Sequence, residues 1–243
     1  MTSLAENLIP LRKARPKKLL GRNGNTKLVK TSKGQDILLA GLSMMPTREL
    51  CPSSKAADCF EDCIKNSGLA AVFTSVNEAR QRKTDWFLED QEGFLIRYKR
   101  ELTNLIKLAK KHGKQPVVRS NVFSDVAWEE LGIPQAFPEI FWYDYTKRAA
   151  RIGNTPDNYE LMFSYSGAPK YQKQVEIALQ TDVPIAVVFK NGMPKKFLGR
   201  EVIDGDKSDL KNLQARNKVV GLKLKGNEAK KSNSPFIIDA LAA

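Results

Sequence analysis

The sequence predicts an α/β protein, a partial or irregular (β/α) TIM-like barrel with a cysteine-containing loop after an early strand. Three observations carry this. Short apolar runs separated by helical or irregular connections recur along the chain, and strands alternating with helices favour a parallel sheet. Several of those runs end in polar residues, as barrel strands do where they open onto a common mouth. The only three cysteines, Cys51, Cys59 and Cys63, cluster just after the first long apolar run. An open doubly wound sheet is the competing architecture.

The first element is charge rather than structure. Residues 11–33 carry nine lysines and arginines and no acidic residue, out of a net charge of +13. With Gly21, Asn23 and Gly24 it reads as a basic arm, residues 1–33, ahead of a barrel-like domain over 34–243. Arg12, Lys13, Arg15, Lys17, Lys18 and Arg22 suit a phosphate backbone, so nucleic acid is an expected partner. The same charge fits a solvated tail equally well, and the aromatic interleaving of a base-stacking platform is missing.

ILLAGLSMMP, from Ile37, reads as a short buried strand that runs into the cysteine segment. From about Val76, Trp86, Phe87, Phe94, Tyr98, Leu102 and Leu105 form an apolar stripe at helical spacing. Lys110, Lys111 and His112 suit its last turn, Gly113 its stop, and Gly93 a break on the way. Strands are then expected at QPVVRSN, EIFWYDY, YELMFSY, VPIAVVF, REVID and KVVGLKL. Helices are expected near Ser124–Leu131, Ala168–Gln180 and Ser208–Gln214.

Three thiols in a C-x7-C-x3-C array carry the sharpest chemical signal. The odd count argues against a disulfide framework, which a chain of this length does not need. Tetrahedral zinc would need a fourth ligand, such as His112, a carboxylate or water. A 4Fe-4S cluster held by Cys51, Cys59 and Cys63 would leave one iron open to another ligand or a substrate. The plain alternative is a set of reduced packing cysteines, Cys59 and Cys63 being one helical turn apart.

If the strand ends share one mouth, Arg119, Asn121, Asp125, Asp144, Lys147, Ser164 and Asp204 are its expected lining. Arg119 and Lys147 suit an anionic group, and Asp125, Asp144 or Asp204 suit a proton acceptor or a metal ligand. Each has an ordinary alternative: Asp125 as a cap, Asp144 paired with Lys147 or Arg148, Asp204 in a V-I-D-G-D turn. The single histidine leaves no Ser-His-Asp set in prospect, and no G-x-x-x-x-G-K phosphate loop occurs. No apolar run approaches a membrane span and the N-terminus lacks a secretory stretch, so a cytoplasmic protein with no membrane partner is expected.

The cysteine loop together with RSNVFSDVAWE, FWYDYTKR, YELMFSYSG, PIAVVF, VIDGDKSDL and VVGLKLKG resembles a family of proteins encoded by bacteriophages and other mobile elements, over roughly residues 25–237. The resemblance implies a viral origin, the cytoplasm of a host cell and a host protein as a partner; it supplies no reaction. The scaffold is also similar to that of radical S-adenosylmethionine enzymes, which hold a 4Fe-4S cluster by three cysteines after the first strand of a partial barrel. Their commonest spacing is C-x3-C-x2-C, and no Gly-Gly-Glu-like strand end follows here. Three functions are therefore in view: an iron–sulfur protein, the reading preferred; an S-adenosylmethionine-dependent radical enzyme; and a nucleic-acid-binding protein with a structural metal.

Overall fold

The computed structural model describes residues 15–22, 26–62, 74–225 and 232–242. Seven strands fall where the apolar runs predict: β2 Ile37–Leu42, β3 Gln115–Arg119, β4 Phe141–Thr146, β5 Tyr159–Ser164, β6 Ile185–Lys190, β8 Arg200–Asp204 and β9 Val219–Lys223. Three short ones join them: β1 Leu20–Gly21, β7 Lys196–Phe197 and β10 Ile237–Asp239. The sheet order is β1-β2-β3-β4-β5-β6-β9-β8-β7, with β10 on β6. Among the described residues only the edge pairs β1/β2 and β7/β8 are antiparallel.

The sheet is open. β1 caps the β2 edge and β7 caps the β8 edge, so β2 and β8 do not pair and the strands do not close into a barrel. β9 runs beside β6 from Ile185 to Phe189, which leaves one side of β6 to be shared. β5 takes its first half and β10 its second, at Val188–Lys190.

Parallel strands covered on both faces read as nearly continuous apolar runs, and alternate residues go to opposite layers. Ala40, Leu42, Val118, Trp142 and Tyr159 face a helical pair, α2 Thr74–Glu89 and α3 Gln91–Lys111. Further along the same face Phe163, Ile185, Val187 and Val219 pack on α5 Gln172–Leu179. On the opposite face Leu39, Val117, Tyr143, Met162 and Val220 meet Leu28 of α1 Thr26–Ser32 and Leu213 of α6 Asp209–Leu213. A short α4, Ile133–Ala136, completes the six helices among the described residues.

α3 forms as its stripe requires, burying Phe94, Tyr98, Leu102, Leu105 and Ala109. Each large side chain contributes roughly 1.5–3 kcal/mol on full burial. The break between α2 and α3 falls at Asp90, not at Gly93. Asp90 is the N-cap and its Oδ1 accepts from Gly93 N at 2.9 Å. Among the described residues no helix is long and apolar enough to cross a membrane.

One expectation needs correction. Ser124–Leu131 is not a helix but irregular chain followed by turns. The Asn121 side chain captures the groups a helix would have used: its Oδ1 accepts from Ser124 Oγ at 2.8 Å, Val126 N at 2.9 Å and Trp128 Nε1 at 3.2 Å. The basic segment, where it is described, is packed chain. Leu19 and Leu20 are buried, Leu20 pairs with Leu42, and Leu28 of α1 lies in the core. Arg12 and Lys13 lie outside the described residues.

Candidate functional site

The C-terminal ends of β3, β4, β5, β6 and β9 open into a pocket of about 230 Å³ on the α1/α6 face of the sheet. The cysteine segment roofs it. From Thr47 to Cys59 the chain is a run of turns, with Cys51 N on Thr47 O at 2.9 Å, Ala57 N on Ser53 O at 2.9 Å and Cys59 N on Ser54 O at 3.2 Å. Two long-range bonds hold this roof over the strand ends: Asp125 N donates to Leu50 O at 2.8 Å and Ser166 Oγ to Ala57 O at 2.6 Å.

Both described thiols line the pocket. Cys51 is half-buried with Sγ 3.6 Å from Phe123 O; Cys59 is buried with Sγ 3.8 Å from Ser54 O. Among the described residues Cys51 and Cys59 are not bonded to each other. Cys63 lies outside the described residues. Among those described, no three His, Cys, Asp or Glu side chains gather into a metal-binding group.

Beneath the roof, Arg119 enters the pocket from the end of β3. Its Nη1 donates to Asp209 Oδ2 at 3.0 Å, and its guanidinium stacks over the Tyr145 ring at 4.6 Å. Asp209 sits at the start of α6 and also accepts from Tyr145 OH at 2.7 Å and Tyr143 OH at 3.3 Å. Burial and this carboxylate push both tyrosine hydroxyls well above their ordinary pKa, so both remain protonated donors. Lys147 follows β4, with Nζ 3.0 Å from Ser164 Oγ and 4.4 Å from the Phe236 ring centre.

A second polar network runs from the pocket lining into the protein. Asp125 accepts from Thr146 Oγ1 at 2.8 Å, Lys147 N at 2.8 Å and Arg151 Nη1 at 2.7 Å. Arg151, itself buried, grips Glu129 through Nε at 2.7 Å and Nη2 at 2.8 Å. Asp144 is fully buried and accepts from Asn121 N at 2.7 Å, Asn121 Nδ2 at 3.1 Å and Tyr159 OH at 2.8 Å. Burial pushes its carboxyl up to about 7, against the opposing pull of Arg119 and the Asn121 amide. RSNVFSD is thus a hydrogen-bonded brace that fixes where the roof meets the sheet.

The structure brings Cys51, Cys59, Arg119, Asn121, Asp125, Lys147 and Ser164 together on one pocket wall. Asp144 is not there: on β4 it alternates to the other face and braces the loop from behind. Asp204 is not there either. It is exposed at the end of β8, its Oδ1 accepting from Asp206 N at 3.0 Å, and it borders a separate hollow with Met193. His112 is an exposed C-cap of α3. Asp209, Arg151, Tyr145 and Phe236 carry contacts that sequence reading missed. Only KSDL hinted at one of them, as a helix start.

A family model described as Gene product 88 matches residues 18–240. No curated protein and no solved structure shows significant similarity to the chain.

Proposed function

The chain belongs to the Gene product 88 family, and we propose that this member is a phage-encoded iron–sulfur protein, its cluster held by Cys51, Cys59 and Cys63 in the pocket above the strand ends. The observation that carries this reading is that two thiols 8 residues apart both face one pocket, while the third cysteine follows Cys59 by 4 residues. Cysteine thiolates are the donors such a cluster takes. Arg119, Lys147 and Lys223 line the same pocket as the two described thiols. Three thiolates would leave one iron of a 4Fe-4S cluster facing the rest of the pocket, where S-adenosylmethionine or another ligand would bind. In this reading the open sheet is a (β/α) barrel that stops short of closure, and the host-cell cytoplasm keeps the thiols reduced.

Anaerobic purification followed by an absorbance spectrum and iron and acid-labile sulfide counts tests it. The wild type is expected to be brown with stoichiometric iron and sulfide, and Cys59→Ala colourless. A wild type that binds zinc alone, or no metal after reconstitution with iron and sulfide, overturns the reading.

A second reading has its own support. Lys17, Lys18 and Arg22 converge with Arg97 and Arg100 of α3 on one groove. Such a groove suits a polyanion, and nucleic acid is the partner proposed for it.

A further inference from the structure

We infer that the pocket also seats a small organic anion, its carboxylate or phosphate head on the unmatched Nε edge of Arg119 and its body against an apolar wall. The side chain of Arg119 is only 8% exposed. Its Nη1 is committed to Asp209, and its Nε is buried with no hydrogen-bond partner among the described residues. A buried donor left unmade is costly, and the large majority of buried side-chain polar atoms find a partner. Asp209 already takes Nη1 and Tyr143 on Oδ2 and Tyr145 on Oδ1, and it lies against Nη1 rather than Nε. Asp209 and the Tyr145 ring together fix the plane of the guanidinium.

The Nε side of a guanidinium presents two parallel N–H groups, which match two oxygens of a carboxylate or phosphate. Lys147 adds a second positive charge on the same wall, and Lys223 a third. The remainder of the lining includes Val122, Ala186, Val188, Leu222 and Phe236, surfaces that bind hydrocarbon rather than a bare ion. A cavity of about 150 Å³ accepts benzene; at about 230 Å³ this one has room for a ring and a head group. The inference concerns the same pocket as the cluster but rests on Arg119, not on the thiols.

The test is calorimetric titration of benzoate and phenyl phosphate, with acetate and inorganic phosphate as bare heads, into the full chain. Iron and sulfide are counted on every sample. A ring-bearing anion is expected to bind on the order of tenfold or more tighter than its bare head. Arg119→Lys, which keeps the charge but loses the fork, should weaken it by on the order of tenfold. Ala186→Leu fills the apolar wall without touching the guanidinium, and it should weaken the ring-bearing probe while sparing the bare head. No binding by either ring-bearing probe, or an affinity that Arg119→Lys leaves unchanged, overturns the inference. Should Arg119→Lys fail to fold, unchanged affinity in Ala186→Leu does so. Cys59→Ala protein that has lost iron but still binds the probe supports the anion seat whatever becomes of the cluster; iron-loaded protein that binds no probe sinks the seat alone.

Discussion

Asp144 shows how a strand-end carboxylate can be indispensable without lining the site. It is the acceptor on which Asn121 hangs, and Asn121 in turn shapes the loop that holds the cysteine roof. Its carboxyl rises from an ordinary 3.8 to about 7 because burial penalises the charge more than Asn121, Tyr159 and Arg119 favour it. The folded protein therefore holds this proton across pH 4–7 where the unfolded chain releases it. Its contribution is fully present below about pH 4 and is lost as pH rises through 7, by on the order of 4 kcal/mol. Urea unfolding of wild type and Asp144→Asn across that range should show the wild type losing ground to the variant as pH rises; a constant difference would mean that Asp144 does not change protonation there. The two thiols and Arg119 were legible because they are rare or charged groups at the ends of apolar runs. Asp144 was misplaced because the strand-end rule ignores the period-2 alternation that sends it to the opposite layer. Asp209 was invisible because its partners Arg119 and Tyr145 stand 90 and 64 residues away.

The elements that the sequence announces best are those whose stability is internal to their own pattern. Seven apolar runs became strands, since a parallel strand buried on both faces needs no partner-specific chemistry to be apolar. The long stripe became α2 and α3 for the same reason. What could not be read was structure made by one side chain at a distance, as where Asn121 replaces an expected helix with a loop. The turn after β8 is a case where a glycine marks such a contact. Gly205 N donates to Gly221 O at 2.8 Å, and a Cβ on Gly205 would stand 2.3 Å from Val220 Cγ1, 2.9 Å from Leu222 Cδ2 and 3.0 Å from Gly221 O. One of those neighbours is backbone, so β8 and β9 would have to part. Gly205→Ala should destabilise the fold by about 1–3 kcal/mol, read as a lower urea midpoint at unchanged slope. An unaltered midpoint would show that the β8–β9 approach is looser than this geometry. Because Leu222 also lines the pocket, the same variant should hold the proposed cluster less well.

At the scale of the molecule, the open sheet is fastened at its β2 edge by the basic segment. Leu19 N and Leu20 N donate to the Glu101 carboxylate at 2.9–3.0 Å, Lys83 Nζ donates to Leu19 O at 2.7 Å, and Arg97 donates to Lys17 O. Arg15 meets Asp90 at 2.6 Å and lies over the Trp86 ring. These bonds tie the helical pair to the strand layer, and they hold part of the net +13 against α3 instead of leaving it on a free tail. Fixed cations in a groove release counterions when a phosphate backbone enters, so affinity falls with salt in proportion to the contacts made. Arg100 lines the groove, and among the described residues its side chain makes no ion pair or hydrogen bond that a substitution would break. Arg100→Ala should therefore lower the slope of log affinity against log salt by about 0.7–0.9 for single- or double-stranded nucleic acid, with the urea midpoint and the iron content unchanged. A slope equal to that of the wild type would remove Arg100 from the interface. No measurable nucleic-acid binding by the wild type at low salt would leave the docked segment a structural fastening alone, and the pocket as the protein's working surface.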